Sequence, residues 1–226
     1  MKKLIGVVTI LLLIAFVGAA EANLISNFNF ETDQTLYSDR VKADDSSTHN
    51  KWYGRGNATA GWQIVNDAFA LDGYYARHLD NNEILVQGFV AGVGTYSLDF
   101  DFAYEAGFTG EWASVEIRGL SGSENIYIHE PGNAENIGVE IFHGDLAPPF
   151  STGWDDFSAT FNVTADYDVL ALIIYSGAYV SGPEPSPGLR GVDNVNVSAV
   201  PEPTTSLLLV TGLIGLAGIS RKRRRK

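Results

Sequence analysis

Trp52 and Tyr53, with Arg55 two residues on, are the side chains best suited to holding a sugar. Aromatic rings offer broad apolar faces for a pyranose ring, and a guanidinium donates hydrogen bonds to hydroxyls. His49 and Asn57 flank them in a polar stretch, and Tyr74, Tyr75, Arg77 and His78 form a second group of this kind. Trp62 and Trp154 each follow a glycine at a strand edge, which suits a core or corner role, and Trp112 fits either use. Asp193 raises a different chemistry. It shares strand phase with Val195 and Val197, so it points inward if they do, and a buried carboxylate needs a cation or several donors. Glu130, Glu140 and the Asp155-Asp156 pair can supply two acids about 5–9.5 Å apart for glycoside hydrolysis. An acid-rich chain produces such pairs by chance. Neither G-x-S-x-G nor H-E-x-x-H occurs, cysteine is absent, and His49, His78, His129 and His143 have no metal-ligand spacing. No catalytic residue is assigned.

Both termini carry addresses. Lys2-Lys3, an apolar run from Leu4 to Val17 and the small residues ending at Ala20-Glu21-Ala22 form a secretory signal peptide over 1–22. At the other end Val200 leads into Pro201-Glu202-Pro203, an apolar run from Leu207 to Ile219 and the cluster Arg221-Lys222-Arg223-Arg224-Arg225-Lys226. A helix over about 204–220 reaches roughly 25 Å, and flanking cations can snorkel to close the gap to an about 30 Å hydrocarbon core. The basic end, 221–226, stays cytoplasmic by the positive-inside rule. This tail, 200–226, resembles the PEP-CTERM sorting signal. The resemblance implies an exported protein anchored in the inner membrane, then cut by exosortase near Pro201-Glu202-Pro203 and released towards the cell surface or an exopolysaccharide matrix.

Removing the two signals changes the charge. Of 15 basic residues, two lie in the signal peptide and six in the tail, which leaves seven; of 27 acids, Glu21 and Glu202 fall outside, which leaves 25. The body from Asn23 to Val200 therefore has a formal charge of −18. Such a field excludes nucleic acid as a partner and suits uncharged glycans or divalent cations.

The body reads as one all-β domain over 23–199. Tyr96, Leu98, Phe100, Phe102 and Tyr104 alternate with polar or small residues, and Phe157, Ala159, Phe161 and Val163 repeat the pattern. Glu83–Val90 and Asp168–Tyr175 are more continuously apolar, as central strands are. Shorter strands are predicted at Leu24–Phe30, Trp62–Val65, Tyr74–Leu79, Trp112–Leu120, Ile126–His129, Val139–Phe142 and Val192–Val197, with 36–60 as a long loop. About ten short strands make a two-sheet β-sandwich of the jelly-roll kind.

The order of pieces is similar to the galactose-binding-like jelly rolls, many of them carbohydrate-binding modules. The carriers are Asn23-Leu24-Ile25-Ser26-Asn27-Phe28-Asn29-Phe30-Glu31 at the start, Gly94-Thr95-Tyr96-Ser97-Leu98-Asp99-Phe100 in mid-chain and Val192-Asp193-Asn194-Val195-Asn196-Val197 at the close. Phe28 stands where the family usually has glycine. The resemblance implies a structural Ca²⁺ held between the chain ends by Asp193 and Glu31; Trp52, Tyr53 and Arg55 remain the expected sugar contacts on their own chemistry. The expected function is a non-catalytic structural or carbohydrate-binding module of the cell surface or matrix, meeting polysaccharide outside the cell and exosortase and the membrane through its tail. A secreted glycan-active enzyme is the alternative.

Overall fold

The computed structural model describes residues 23–37, 40–54, 56–57, 60–68, 70–71, 73–78, 83–104, 111–127, 138–146, 153–178 and 189–201. Asn23–Ser198 forms one compact unit. The signal peptide, Arg55 and the predicted membrane segment lie outside the described residues. Among those described, no helix is long and apolar enough to cross a membrane.

Thirteen strands are described: β1 Arg40–Lys42, β2 Trp52–Gly54, β3 Gly56–Asn57, β4 Ala60–Val65, β5 Tyr75–His78, β6 Glu83–Phe89, β7 Gly94–Tyr104, β8 Glu111–Leu120, β9 Asn125–Tyr127, β10 Val139–Leu146, β11 Gly153–Val163, β12 Val169–Ala178 and β13 Leu189–Ala199. They build a five-stranded sheet, β10-β8-β12-β6-β2, a six-stranded sheet, β11-β7-β13-β5-β4-β3, and a small β1-β9 ribbon. The expected all-β sandwich is present.

The main core fills the space between the two large sheets. Leu85, Val115, Ile117, Leu170, Leu172 and Ile174 come from the five-stranded sheet, and Trp62, Leu98, Phe100, Phe161, Val192 and Val195 from the six-stranded one. The alternation along β7 puts Leu98 and Phe100 inside and leaves Asp99 and Asp101 outside. A second apolar cluster lies on the other side of the five-stranded sheet. There Val41 of β1, Ala43 just after it and Ile126 of β9 cover Ile84, Val86, Val169, Ala171 and Ile173. Both faces of β6 and β12 are therefore buried, which is why Ile84-Leu85-Val86 and Val169–Ile174 read as unbroken apolar runs.

Two expectations fail. Leu24–Phe30 is not a strand; Asn27 and Phe30 take positive φ of 51° and 56°, which extended backbone cannot accommodate. The segment still ties to β13, where Leu24 N donates to Val197 O and Val195 N to Phe28 O. The supposed loop over 36–60 contains β1, β2 and β3. Within it β2 pairs with β6, Tyr53 opposite Val86, and so extends the five-stranded sheet.

Candidate functional site

The cross-strand register of the five-stranded sheet assembles a polar shelf on its outer face. Val115 and Ile117 point into the main core, so Glu116 between them must point outward. It lies opposite Ile173 on β12 and His143 on β10. Arg118, two residues on, faces Glu140, while Ser114, two residues back, faces Asp145 and Tyr175. In a regular strand Glu140 and His143 would face opposite ways. A bulge between Glu140 and Phe142 shifts the register, so both meet outward residues of β8.

The groups are joined by a charged network. Arg118 Nε donates to Glu116 Oε2 at 2.5 Å, and Nη2 to Glu140 Oε2 at 3.4 Å. His143 lies between two carboxylates: Nδ1 is 3.3 Å from Glu116 Oε1 and Nε2 is 3.2 Å from Asp145 Oδ1. Glu116 is only 8 % exposed, whereas the side chains of Glu140 and His143 are 52 % and 42 % exposed. The shelf thus has a fixed floor and an accessible rim. Burial acts to lower the His143 pKa, but the contacts with Asp145 and Glu116 outweigh it and raise it above the ordinary value. Burial, and then the Glu116 charge, push the Tyr175 hydroxyl up to about 12, so it stays a neutral donor and acceptor.

At the opposite edge of the same sheet, beyond β12 and β6, Tyr37 bridges Tyr53 of β2 and packs half-buried on the second core cluster, its ring 5.6 Å from that of Tyr53. Lys51 Nζ stands 5.0 Å over the Tyr37 ring. The shelf combines half-buried Tyr175 with hydrogen-bonding groups of both kinds, all on paired strands.

The sequence-predicted sugar contacts are placed elsewhere. Trp52 is 2 % exposed; its ring packs 5.3 Å from Phe30 and its Nε1 donates to Asn27 O. Tyr53 is 4 % exposed beneath the β1-β9 ribbon. Both are core residues with no face left for a ligand, and Arg55 lies outside the described residues. In the second aromatic group Tyr75 is fully buried against Trp154, and Arg77 is paired with Asp67 at 3.1 Å. Of the proposed acid pairs, Glu130 lies outside the described residues and Asp155-Asp156 sit on β11, in the other sheet. Glu140 does meet a second carboxylate, Glu116, but Arg118 bonds to the Oε2 atom of each.

Asp193 is buried, 1 % exposed, as its phase requires. Asn194, at φ 50°, breaks the alternation between the core residues Val192 and Val195. Asp193 Oδ1 accepts from Asn194 N, while Glu31 Oε1 accepts from Tyr74 N just ahead of β5. β13 pairs with β5 through Val192 and Ala76, so both carboxylates lie where β13 exchanges β5 for the N-terminal segment as its partner. Two carboxylates are a donor set of the hard-oxygen kind that calcium takes. Of the tail, Pro201 is described and exposed; Glu202, Pro203 and the basic residues from Arg221 to Lys226 lie outside the described residues.

This architecture, two antiparallel sheets over one core, defines a β-sandwich of the jelly-roll class. Solved structures that share the fold include two described as binding sugar or xylan. One is a candidate sugar-binding protein of Bacteroides thetaiotaomicron VPI-5482, 12 % identical, with a TM-score of 0.50 over 79 % of this chain and 100 % of that one. The other is the CBM22-1 xylan-binding domain of Paenibacillus barcinonensis Xyn10C, 11 % identical, with a TM-score of 0.50 over 81 % of this chain and 97 % of that one. Residues 199–225 match the PEP-CTERM protein-sorting motif. No curated protein matches the chain.

Proposed function

We propose that this is an exported protein whose sandwich binds polysaccharide through the outer face of its five-stranded sheet, without catalysis. The observation that carries the reading is the shelf of Glu116, Arg118, Glu140, His143 and Asp145 beside Tyr175. It offers donors, acceptors and the Tyr175 ring on paired strands that need no reordering to receive a ligand. The xylan-binding and sugar-binding proteins of the same fold support a glycan as the ligand class. The strong negative charge of the body favours a glycan without acidic groups. Arg118 lying between Glu116 and Glu140 argues against hydrolysis there.

The sorting motif supports the route: export, anchoring in the inner membrane by the tail, exosortase processing near Pro201-Glu202-Pro203, and delivery to the surface or an exopolysaccharide matrix. Calcium bound by Asp193 and Glu31 would neutralise a buried carboxylate and clamp the N-terminal segment to β13. Two experiments test the reading. The full chain on a glycan array should retain neutral oligosaccharides and release no reducing ends; release would make it an enzyme, and an empty array would leave a purely structural role. In the native host, alanine at 201–203 should hold the protein in the membrane fraction at precursor mass. Normal processing of that variant would refute the route.

A further inference from the structure

The ligand atoms of Glu116, Glu140 and His143 lie no more than 4.8 Å from one another. His143 stands between two carboxylates. His143 Nε2 faces Asp145 Oδ1, an acceptor, so the neutral imidazole carries its proton on that nitrogen. In that neutral form Nδ1 presents a lone pair to Glu116 Oε1 at 3.3 Å, where the imidazolium would donate a second proton. A cation between them can take that proton's place. Two ligands on a tetrahedral ion, each about 2.0–2.2 Å from it, lie roughly 3.3–3.5 Å apart, so the Glu116–His143 spacing already matches such a site.

We propose that Glu116, Glu140 and His143 form a binding site for a divalent transition cation of the zinc type. Glu116 Oε1 and His143 Nδ1 supply two ligands. Glu140, on the exposed rim, closes by a side-chain rotation to supply the third, and the bulge in β10 is what brings it to this face. Asp145 is the outer partner that holds the imidazole in its ligating tautomer, the arrangement metal-bound histidines use. Arg118 does not block the ion: it takes the Oε2 atom of each glutamate. It also sets the charge, because three carboxylates and one guanidinium leave a net −2, matched to a divalent ion. An imidazole ligand selects zinc, nickel or copper over calcium and magnesium, which prefer all-oxygen shells. With three protein ligands and an exposed rim, the site keeps a position open to solvent. The site stands whether or not the face binds glycan, and it is separate from the Asp193–Glu31 position.

The probe is zinc chloride titrated by calorimetry into the full chain, solubilised in detergent and stripped with chelator, at neutral pH. One ion should bind per chain. His143→Gln should weaken binding by about tenfold or more, and Asp145→Asn by about tenfold through its effect on the imidazole. Excess calcium should not displace the zinc. Asp145 and His143 are exposed enough for both variants to fold, which the far-ultraviolet dichroism spectrum checks. Equal zinc affinity in wild type and both variants, full displacement by calcium, or no binding by the wild type would each overturn the proposal. In that last case a proton alone bridges Glu116 and His143.

Discussion

Arg118→Ala tests whether the shelf has a buried ionic floor. Arg118 and Glu116 touch at 2.5 Å with only 16 % and 11 % of their side chains exposed, between Val115 and Ile117 in sequence and against Ile173 across the sheet. Truncating the arginine leaves the Glu116 charge in this setting with His143 Nδ1 as its near neighbour. Breaking a fully buried pair costs about 3–5 kcal/mol, whereas an exposed pair is worth about 1 kcal/mol or less. The residual exposure and the His143 contact place this pair below the buried limit, at about 2–3 kcal/mol. In a domain of this length each kcal/mol moves Tm by about 2–4 °C, so the variant should melt about 4–12 °C lower. Thermal and urea unfolding followed by circular dichroism measure this. A second variant, Arg118→Met with Glu116→Leu, should recover most of the loss, because it removes the stranded charge and keeps the volume. A loss under about 0.5 kcal/mol for Arg118→Ala would show the pair to be solvated and the floor of the shelf to be soft.

Three further outcomes follow from other parts of the fold. Asp101 lies opposite Asp156, and burial first, then the Asp156 contact against a bond from Asn194, raise its pKa above 3.8. A carboxyl raised in the folded state weakens the fold when charged, so Asp101→Asn should raise Tm at neutral pH, and the gain should fade as pH falls towards 3.8. A gain that persists in acid would assign it to something other than charge. A Cβ on Gly119 would stand 2.4 Å from the Tyr167 ring, so Gly119→Ala should destabilise by about 1–3 kcal/mol in urea titrations, and a neutral result would refute that packing. Asp193→Ala should lose the calcium-dependent part of the melting temperature. A calcium response equal to that of the wild type would remove Asp193 from the site.

What the sequence made legible was set by how many faces of each strand are buried. β7 buries one face, so its alternation predicts both its extent and its inward residues. β6 and β12 bury two faces, and their unbroken apolar runs reported this without saying what the second cover was. The cover comes from β1 and β9, three residues each, too short for periodicity to register. The same gap misplaced Trp52 and Tyr53. Their polar neighbours suggested a loop, yet His49 is 9 % exposed and bonds Lys42 O through Nε2, so the polar stretch is itself tucked into the fold. Glu116 was invisible for a related reason. A lone glutamate between Val115 and Ile117 reads as a solvent-facing position, and only the register against His143 and Ile173 shows it half of a network. The bulge in β10 cannot be read from Val139–Phe142, because it depends on the partner strand. Its one local trace is that Glu140 and His143, which share a face, stand three residues apart, out of step with strand period.

The most direct test of the central claim, polysaccharide binding by the outer face of the five-stranded sheet, is calorimetric titration of the full chain with the neutral glycan it retains best. Wild type is compared with Glu140→Gln and His143→Ala on that face, and with Ser158→Ala on the outer face of the other sheet. The account predicts that Glu140→Gln and His143→Ala weaken binding by about tenfold or more, since a hydrogen bond to a charged group is worth about 1.4 kcal/mol or above, and that Ser158→Ala binds as wild type does. Wild-type affinity in both shelf variants, or a loss confined to Ser158→Ala, would contradict it.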